Sequence, residues 1–229
     1  MFEREAAWIG AKLAKIPAED LSPLVNLGAR TEKPWIDALI FAPLRARGVE
    51  IVNIDIVDGE GVDLVADIFT DAGFAEVAAI RPRMVLCCNV LEHVLDPETF
   101  ARRCFDLLVP GGRLLVTVPR AYPHHRCPID TMFRPDPDEV AALVPDAEMT
   151  HSAMLPMGYY WDEVRKRPWI LSRQILRAPF PFLGWAHYKR TMSKLRFLVS
   201  PYMVTFALLE RRASEAPAAA LRTAAAQGR

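Results

Sequence analysis

The chain has 229 residues, of which 52% are hydrophobic, and this content supports a buried core and excludes an intrinsically disordered chain. Lys and Arg balance Asp and Glu to a formal net charge of zero, so no polyanionic partner such as nucleic acid is expected. Residues 1–5 are not a basic segment leading into an apolar core, and the longest apolar stretch, 197–209, is too short to span a bilayer. We therefore expect a single domain over residues 1–229, without a signal peptide or a membrane-spanning helix.

The chain contains four cysteines: Cys87, Cys88, Cys104 and Cys127. The first two are adjacent on a predicted buried strand and should point to opposite faces of the sheet. We expect all four to be reduced, as is typical of a cytoplasmic protein.

The first part of the chain alternates between helical and extended patterns. Helical spacing of apolar residues or short apolar runs identify the elements, and Gly, Pro and polar clusters separate them. The predicted order is a helix over 3–16, a strand over 24–28, a partly helical segment over 35–47 interrupted by Pro43, a strand over 49–54 ending in Asp55, a strand over 62–68, and a loop or short helix over 70–79.

The central stretch, residues 84–120, has the pattern of a right-handed βαβ unit. The apolar run Met84 to Cys88 predicts a buried strand, a helical period follows, and Pro110-Gly111-Gly112 ends it before a strand over 114–118. Ligands of such sheets bind outside the carboxyl ends of the strands, so residues 89–93 and 119–127 are expected near a site.

The remaining elements complete a mixed sheet. A helix over 138–144, capped by Asp136 or Asp138, precedes strands over 148–155 and 202–210. The alternation predicts a Rossmann-like, doubly wound α/β fold with a mostly parallel seven-stranded sheet and helices on both faces. One of the last two strands is expected to run antiparallel, as an edge strand can. Residues 213–229 are expected to be a flexible tail.

Two residues at strand ends indicate a nucleoside site. Asp55 ends the second predicted strand, where a carboxylate can accept hydrogen bonds from ribose hydroxyls. Gly28 closes the first strand and would let the backbone approach a ligand closely. The G-x-G-x-x-G fingerprint is absent, which argues against NAD or FAD and is compatible with an adenosine ligand that carries no phosphate.

At this point the chain resembles class I S-adenosylmethionine (SAM)-dependent methyltransferases, in particular the small-molecule type 11 group. The resemblance covers residues 24–144 and rests on segments that occur in the family's order. These segments are Ile54-Asp55-Ile56 with 61–67, Asn89-Val90-Leu91-Glu92-His93-Val94 with Asp96-Pro97, Leu108-Val109-Pro110-Gly111-Gly112-Arg113-Leu114, Pro128-Ile129-Asp130, and Phe133-Arg134-Pro135-Asp136. The sequence departs from the family at acid-x-Gly-x-Gly-x-Gly, where it has Asn26, Arg30 and Glu32 in place of the acid and the last two glycines.

The resemblance implies SAM as the cofactor and assigns residues to its parts. The cofactor-binding residues it implies are Gly28, Ala29 and Arg30 at the methionine part, Asp55 with Ile56 at the ribose, Asp67 with Ile68 at the adenine, and Asn89 beneath the sulfonium. Simpler roles stand beside these: a turn cap for Asp55, a solvated loop acid for Asp67, and a backbone partner at a strand end for Asn89. Glu92 fits a first-turn helix acid better than a catalyst, and His93 fits packing or capping as well as substrate contact.

Candidate bases lie after the predicted fifth strand. Methyl transfer to a hydroxyl requires a base for its proton, and His124 or His125 could serve because imidazole titrates near neutral pH. Either residue could instead be a surface imidazole. The spacing of these histidines and Cys127 matches no metal-ligand pattern, so no metal is expected.

A basic, aromatic-rich segment follows residue 159. Residues 164–209 contain nine Lys or Arg and no Asp or Glu. We interpret 159–200 as an insertion or lid whose aromatics pack on the sheet and whose charges face water. It could alternatively line a pocket for an anionic acceptor or contact anionic lipid at a membrane surface.

The expected function is transfer of a methyl group from SAM to an oxygen or nitrogen of a small molecule. A secondary metabolite, a sugar or a lipid-linked compound would fit as the acceptor. The alternative is a methyltransferase-like, non-catalytic protein that binds a partner or an anionic membrane surface.

Overall fold

A twisted β-sheet forms the centre of the protein in a computed structural model that describes residues 1–29, 33–124, 129–177, 188 and 192–213. The strands are β1 (Leu24–Leu27), β2 (Ile51–Asp55), β3 (Leu64–Val65), β4 (Met84–Cys88), β5 (Arg113–Ala121), β6 (Glu148–Pro156) and β7 (Met203–Glu210). They form one seven-stranded sheet in the order β3-β2-β1-β4-β5-β7-β6. The predicted fold class is confirmed.

The sheet is parallel from β3 to β5, and β7 runs antiparallel to both of its neighbours, β5 and β6. The antiparallel strand was expected among the last two, and it is β7. It lies inside the sheet rather than at the edge, because β6 pairs with its outer side. The edge position expected for the antiparallel strand is therefore wrong.

Helices cover both faces of the sheet. They are α1 (Glu3–Leu13), α2 (Pro34–Ile36), α3 (Ala42–Ala46), α4 (Asp71–Ala79), α5 (Pro97–Asp106), α6 (Pro137–Ala142), α7 (Tyr160–Lys166) and α8 (Trp169–Arg177), with 3-10 turns at Ala18–Asp20, Leu91–His93 and Leu195–Leu198. Residues of α1, α2 and α3 form the core on one face, and residues of α4, α5 and α6 form it on the other. Cys87 belongs to the second core and Cys88 packs against the first, as the alternation of a strand predicts.

Two elements differ from their predicted extents for local reasons. β3 covers only two residues, because the chain turns at Asp67, whose carbonyl accepts the Thr70 N–H at 3.0 Å. Thr70 then caps α4 by accepting the Gly73 N–H at 3.0 Å. The expected interruption at Pro43 is a π-helical turn, Asp37–Phe41, between α2 and α3, which fits a proline that has no N–H to donate.

The last part of the described chain packs against the carboxyl end of the sheet. Tyr160 and Val164 of α7 are buried with Phe197 and with Tyr202, which directly precedes β7. Trp169, at the start of α8, is 53% exposed. The expected packing of aromatics on the sheet therefore holds for Phe197 and not for Trp169. No helix in the described ranges has the length and apolar character needed to cross a lipid bilayer.

Candidate active site

Three strand ends meet at one edge of the sheet. Leu27 of β1 is in register with Ile54 of β2 and with Cys87 of β4. The residues that follow these positions, Gly28 and Asp55 among them, are therefore neighbours at the carboxyl edge, where such sheets bind ligands.

Gly28 occupies a position that no other residue type would fit without a shift. Its φ is +71°, in the left-handed region, and a Cβ at this position would lie 2.7 Å from Cγ2 of Val90. The next residue, Ala29, donates its N–H to the Ile54 carbonyl at 3.1 Å. The backbone after β1 thus runs close to the loop after β4, which leaves this turn narrow and free of side-chain bulk. Arg30 lies outside the described residues.

A polar chain crosses the three outer parallel strands just below this edge. Asn26 stands where the resembling family has an acid, and its Nδ2 donates to Asn53 Oδ1 at 3.0 Å. Asn53 Nδ2 donates in turn to Asp63 Oδ2 at 3.1 Å. Asn26 is 8% exposed, so this departure from the family sequence gives a side chain that joins β1 to β2.

Asp55 is half-buried at the end of β2, and one of its oxygens accepts the Val57 N–H at 3.1 Å. This contact is the turn-cap role considered for Asp55. It is compatible with a ligand contact, because a carboxylate has about four lone-pair sites. Ile56 beside it is 68% exposed, an apolar surface at the place where a nucleoside would lie.

The segment after β3 contains Asp67 and Ile68, the two residues that the resemblance assigns to the adenine. Asp67 is partly buried and accepts the Phe69 N–H at 2.9 Å through Oδ1. Ile68 is 3% exposed and belongs to the core, so its side chain does not face the edge. Phe69 is 38% exposed and lies 5.5 Å from Phe100, centroid to centroid, which makes it the apolar side chain available here.

Asn89 follows β4 with a left-handed backbone, φ +56°. Its backbone N–H donates to the Thr117 carbonyl at 2.8 Å. Its Nδ2 donates to Glu5 Oε1 at 2.7 Å. Asn89 therefore connects the edge of the sheet to α1, and its conformation is one that Asn tolerates better than most residues.

Glu5 is a fully buried carboxylate that the sequence analysis missed. It accepts hydrogen bonds from Asn89, from Thr117 Oγ1 at 2.7 Å and from the Phe2 N–H at 3.1 Å. The available signal was its spacing, since Glu5 lies four residues before Ile9 and so on the apolar face of α1. These bonds fix the start of α1 against the ends of β4 and β5.

Glu92 is a second buried carboxylate, 1% exposed, in the 3-10 turn after β4. Burial raises the pKa of its carboxyl to about 7, against the opposing effects of a backbone hydrogen bond and of Arg134. Its Oε2 has no hydrogen-bond partner in the described part of the chain. The expectation of a first-turn helix acid is met in the 3-10 helix Leu91–His93, and Asp96 caps the following helix α5 through the Thr99 N–H.

The loop over residues 129–134 is tied to this turn. Thr131 donates its N–H and Oγ1 to the Glu92 carbonyl at 2.9 and 3.1 Å. His93 Nδ1 bonds to the Ile129 carbonyl, and His93 Nε2 lies 3.8 Å from Glu92 Oε1. The packing and capping role considered for His93 is therefore present.

Arg134 ends this loop and is another residue that the sequence analysis did not select. Its Nη2 donates to the buried carboxylate of Asp130 at 2.7 Å, and only 10% of its side chain is exposed. Its Nε is buried without a partner among the described residues. A buried guanidinium N–H and a buried carboxylate oxygen, both unpartnered, thus belong to two segments that are bonded to each other.

The two predicted bases, His124 and His125, follow β5 in the chain. His124 is exposed beyond β5. The other candidate base, His125, lies outside the described residues, as does Cys127. Within the described ranges, no group of three His, Cys, Asp or Glu residues is arranged to hold a metal ion.

Comparison with known proteins gives the class. A family model described as a methyltransferase domain matches residues 2–177. A protein of Mycolicibacterium smegmatis named as a probable S-adenosylmethionine-dependent methyltransferase is 28% identical over 102 residues, with coverage of 33% of this chain and 40% of that protein. The ubiquinone biosynthesis O-methyltransferase of Pseudomonas fluorescens is 26% identical over 134 residues, covering 46% of this chain and 56% of that protein. The matches thus span about half the length of these relatives, or less.

Solved structures show the same fold. Coclaurine N-methyltransferase, bound to N-methylheliamine and S-adenosylhomocysteine (SAH), superposes with a TM-score of 0.58 at 13% identity, over 91% of this chain and 72% of that one. The 1,6-didemethyltoxoflavin-N1-methyltransferase of Burkholderia thailandensis gives 0.51 at 15% identity, over 92% and 78%. The fold is that of class I SAM-dependent methyltransferases. The chain belongs to the methyltransferase-domain family, as its sequence motifs predicted.

The edge of the sheet fits the adenosine half of SAM. The turn at Gly28 has no room for a side chain, and Asp55 ends the adjacent strand. Ile56, directly after β2, and Phe69, in the segment after β3, have exposed apolar side chains. Binding of adenosine requires a carboxylate that accepts hydrogen bonds from the ribose hydroxyls and, beside it, apolar surface that contacts the base.

Proposed function

We propose that this protein transfers the methyl group of SAM to an oxygen or nitrogen of a small molecule. The observation that carries the proposal is the placement of Gly28 and Asp55 on adjacent parallel strands, at the carboxyl edge of a sheet with methyltransferase strand order. Asp55 would hold the ribose hydroxyls, and the turn of Gly28 and Ala29 would lie along the methionine part. Asp67 and the backbone of Ile68 would border the base.

The reaction needs alignment more than chemistry from the protein. SAM supplies an electrophilic methyl group on a sulfonium, and an in-line displacement moves it to the acceptor. The protein's part is to hold the nucleophile close to the methyl carbon and to accept its proton where it has one. Asn89 would lie beneath the sulfonium, held there by Glu5.

Oxygen and nitrogen are both supported as acceptor atoms by the similar proteins. The Pseudomonas relative is named an O-methyltransferase, and both structures compared above are N-methyltransferases. The basic segment supports an anionic acceptor, with 159–200 as a lid over it. Free thiols at Cys87, Cys88 and Cys104 support a cytoplasmic location.

Isothermal titration with SAM and with SAH tests the cofactor. We expect both to bind with dissociation constants in the range of about 1–100 μM, which corresponds to roughly 5.5–8 kcal/mol of binding free energy. NAD serves as the negative control, since the chain lacks a dinucleotide cradle. Absence of heat with both SAM and SAH at millimolar concentration would contradict the proposal.

A further inference from the structure

We propose that Glu92 and Arg134 form the two ends of the acceptor seat. In this proposal, Glu92 Oε2 takes the proton of the acceptor hydroxyl or amine, and Arg134 Nε holds an anionic oxygen of the same molecule. The proposal rests on the methyltransferase function proposed above, and it specifies the acceptor as a hydroxy or amino compound that also carries a carboxylate or similar oxygen.

Two buried acids beside this edge of the sheet, Glu5 and Glu92, differ in how their carboxylate oxygens are hydrogen-bonded. Glu5 accepts three hydrogen bonds from named donors, so its burial is fully explained by its role in holding α1. Glu92 is buried to the same degree, yet its Oε2 has no partner in the described ranges. A buried polar atom without a partner costs about 1–3 kcal/mol, so it indicates a group that a ligand satisfies.

Arg134 carries a positive charge on the loop that is hydrogen-bonded to the turn of Glu92. Arg134 uses Nη2 for Asp130 and Nη1 for the Phe133 carbonyl at 3.0 Å, and its Nε–H is left over. Its positive charge lowers the pKa of Glu92 and of Tyr122, against the larger raising effect of burial on both groups. One unpartnered donor and one unpartnered acceptor therefore belong to two segments that Thr131 joins through the Glu92 carbonyl.

The position of Glu92 after Asn89 relates Glu92 and Arg134 to the proposed SAM site. Glu92 lies in the 3-10 helix three residues after Asn89, the residue proposed to lie beneath the sulfonium, and in the proposal its side chain faces the acceptor. Phe133 is partly buried beside Arg134, and the half-buried ring of Tyr122 lies at the end of β5. In the proposal these two rings supply apolar surface for a flat or aromatic acceptor.

The proposed reaction transfers a methyl group to the acceptor and a proton to Glu92. The acceptor oxygen or nitrogen forms a bond to the methyl carbon while the carbon–sulfur bond breaks and its electron pair stays on sulfur, leaving SAH. The proton of the acceptor moves to Glu92 Oε2, from where it passes to solvent after product release. The pKa of Glu92, about 7, suits a group that must accept and release a proton near neutral pH.

Three matched probes test the seat by isothermal titration into the SAH-saturated protein: 3-hydroxybenzoate, which has both groups, phenol and benzoate. We expect 3-hydroxybenzoate to bind about tenfold more tightly than either of the others, because it alone contacts both residues. Equal affinities of the three probes, or binding of none while SAH binds normally, would overturn the proposal. Failure of SAH itself to bind would instead overturn the proposed function.

Variants assign each contact. In Glu92→Leu the preference of 3-hydroxybenzoate over benzoate should fall below about threefold, whereas Glu92→Gln should retain it because the amide oxygen still accepts. In Arg134→Lys, which keeps a cation for Asp130, the preference over phenol should fall in the same way. Arg102→Lys, at an exposed ion pair with Asp146, is the matched control and should change nothing. Unchanged preferences in both Glu92→Leu and Arg134→Lys would assign the orphan atoms a structural role and overturn the proposal.

Discussion

At the scale of single residues, Gly28 is the position where backbone and site are most closely coupled. A Cβ there meets Val90 Cγ2 at 2.7 Å, and its φ of +71° is disfavoured for other residues. Gly28→Ala should therefore lower the free energy of unfolding by about 1–2 kcal/mol from the left-handed backbone alone, and it should also weaken SAH binding. Urea unfolding and SAH titration measure the two effects.

The double variant Gly28→Ala/Val90→Ala separates the clash from the backbone strain. It removes the contacting Cγ2 but leaves φ unchanged, so part of the lost SAH affinity should return while the cost of the backbone remains. If Gly28→Ala binds SAH as the wild type does, the turn does not approach the cofactor.

The residues also show where sequence reasoning ends. Gly28 and Asp55 were predicted to belong to a nucleoside site because both follow strand ends, where such sheets bind ligands, a rule that needs only the strand assignments. The roles of Glu5 and Glu92 depend on their burial. Burial of an acid is not predicted by its residue type, because Asp and Glu are mostly exposed in folded proteins. Glu5 meets Asn89 and Thr117 across 84 and 112 residues of chain, beyond the reach of any local pattern.

At the scale of elements, α1 is held to the sheet by the bonds of Glu5. Glu5→Ala leaves the side chains of Asn89 and Thr117 without their acceptor in a buried place, so we expect a loss of about 2–4 kcal/mol in the free energy of unfolding. Urea unfolding measures the loss, and Glu3→Ala, an exposed acid of the same helix, is the control. A loss in Glu5→Ala no larger than that in Glu3→Ala would contradict the role of Glu5.

Strand order is another element-scale property that local patterns do not contain. The parallel run β3 to β5 follows from the βαβ rule. The insertion of β7 between β5 and β6 requires the chain to return from β6 through α7 and α8 to the far side of β5. Neither the apolar pattern of β6 nor that of β7 states which of them is the edge.

At the scale of the whole molecule, stability should depend on pH through Glu92. Its folded-state pKa, about 7, lies above the ordinary value of 4.5, so the folded protein holds this proton more tightly than the unfolded chain does. The contribution is present below about pH 4.5 and is lost as pH rises through about 7, to a total of about 3 kcal/mol. The charged groups around Glu92 are Arg134, Glu5, His93 and the amino group of Met1.

Glu92→Gln should remove this dependence. Unfolding of the ligand-free protein at about pH 5 and about pH 8 should show the wild type losing roughly 2.5 kcal/mol more than the variant over that interval. Glu98→Gln, an exposed acid at the start of α5, should follow the wild type. Parallel curves for the wild type and Glu92→Gln would mean that Glu92 is ionised normally and is not desolvated.

The central claim is that the carboxyl edge of this sheet binds SAM through Asp55, and titration of SAH into the wild type and Asp55→Ala tests it most directly. The account predicts a loss of about 1–3 kcal/mol in binding free energy, about a fivefold to 150-fold weaker dissociation constant, from lost charge-assisted hydrogen bonds to the ribose. Asp146→Ala, an exposed acid of similar size, should bind as the wild type does. Equal SAH affinity in the wild type and Asp55→Ala would contradict the account.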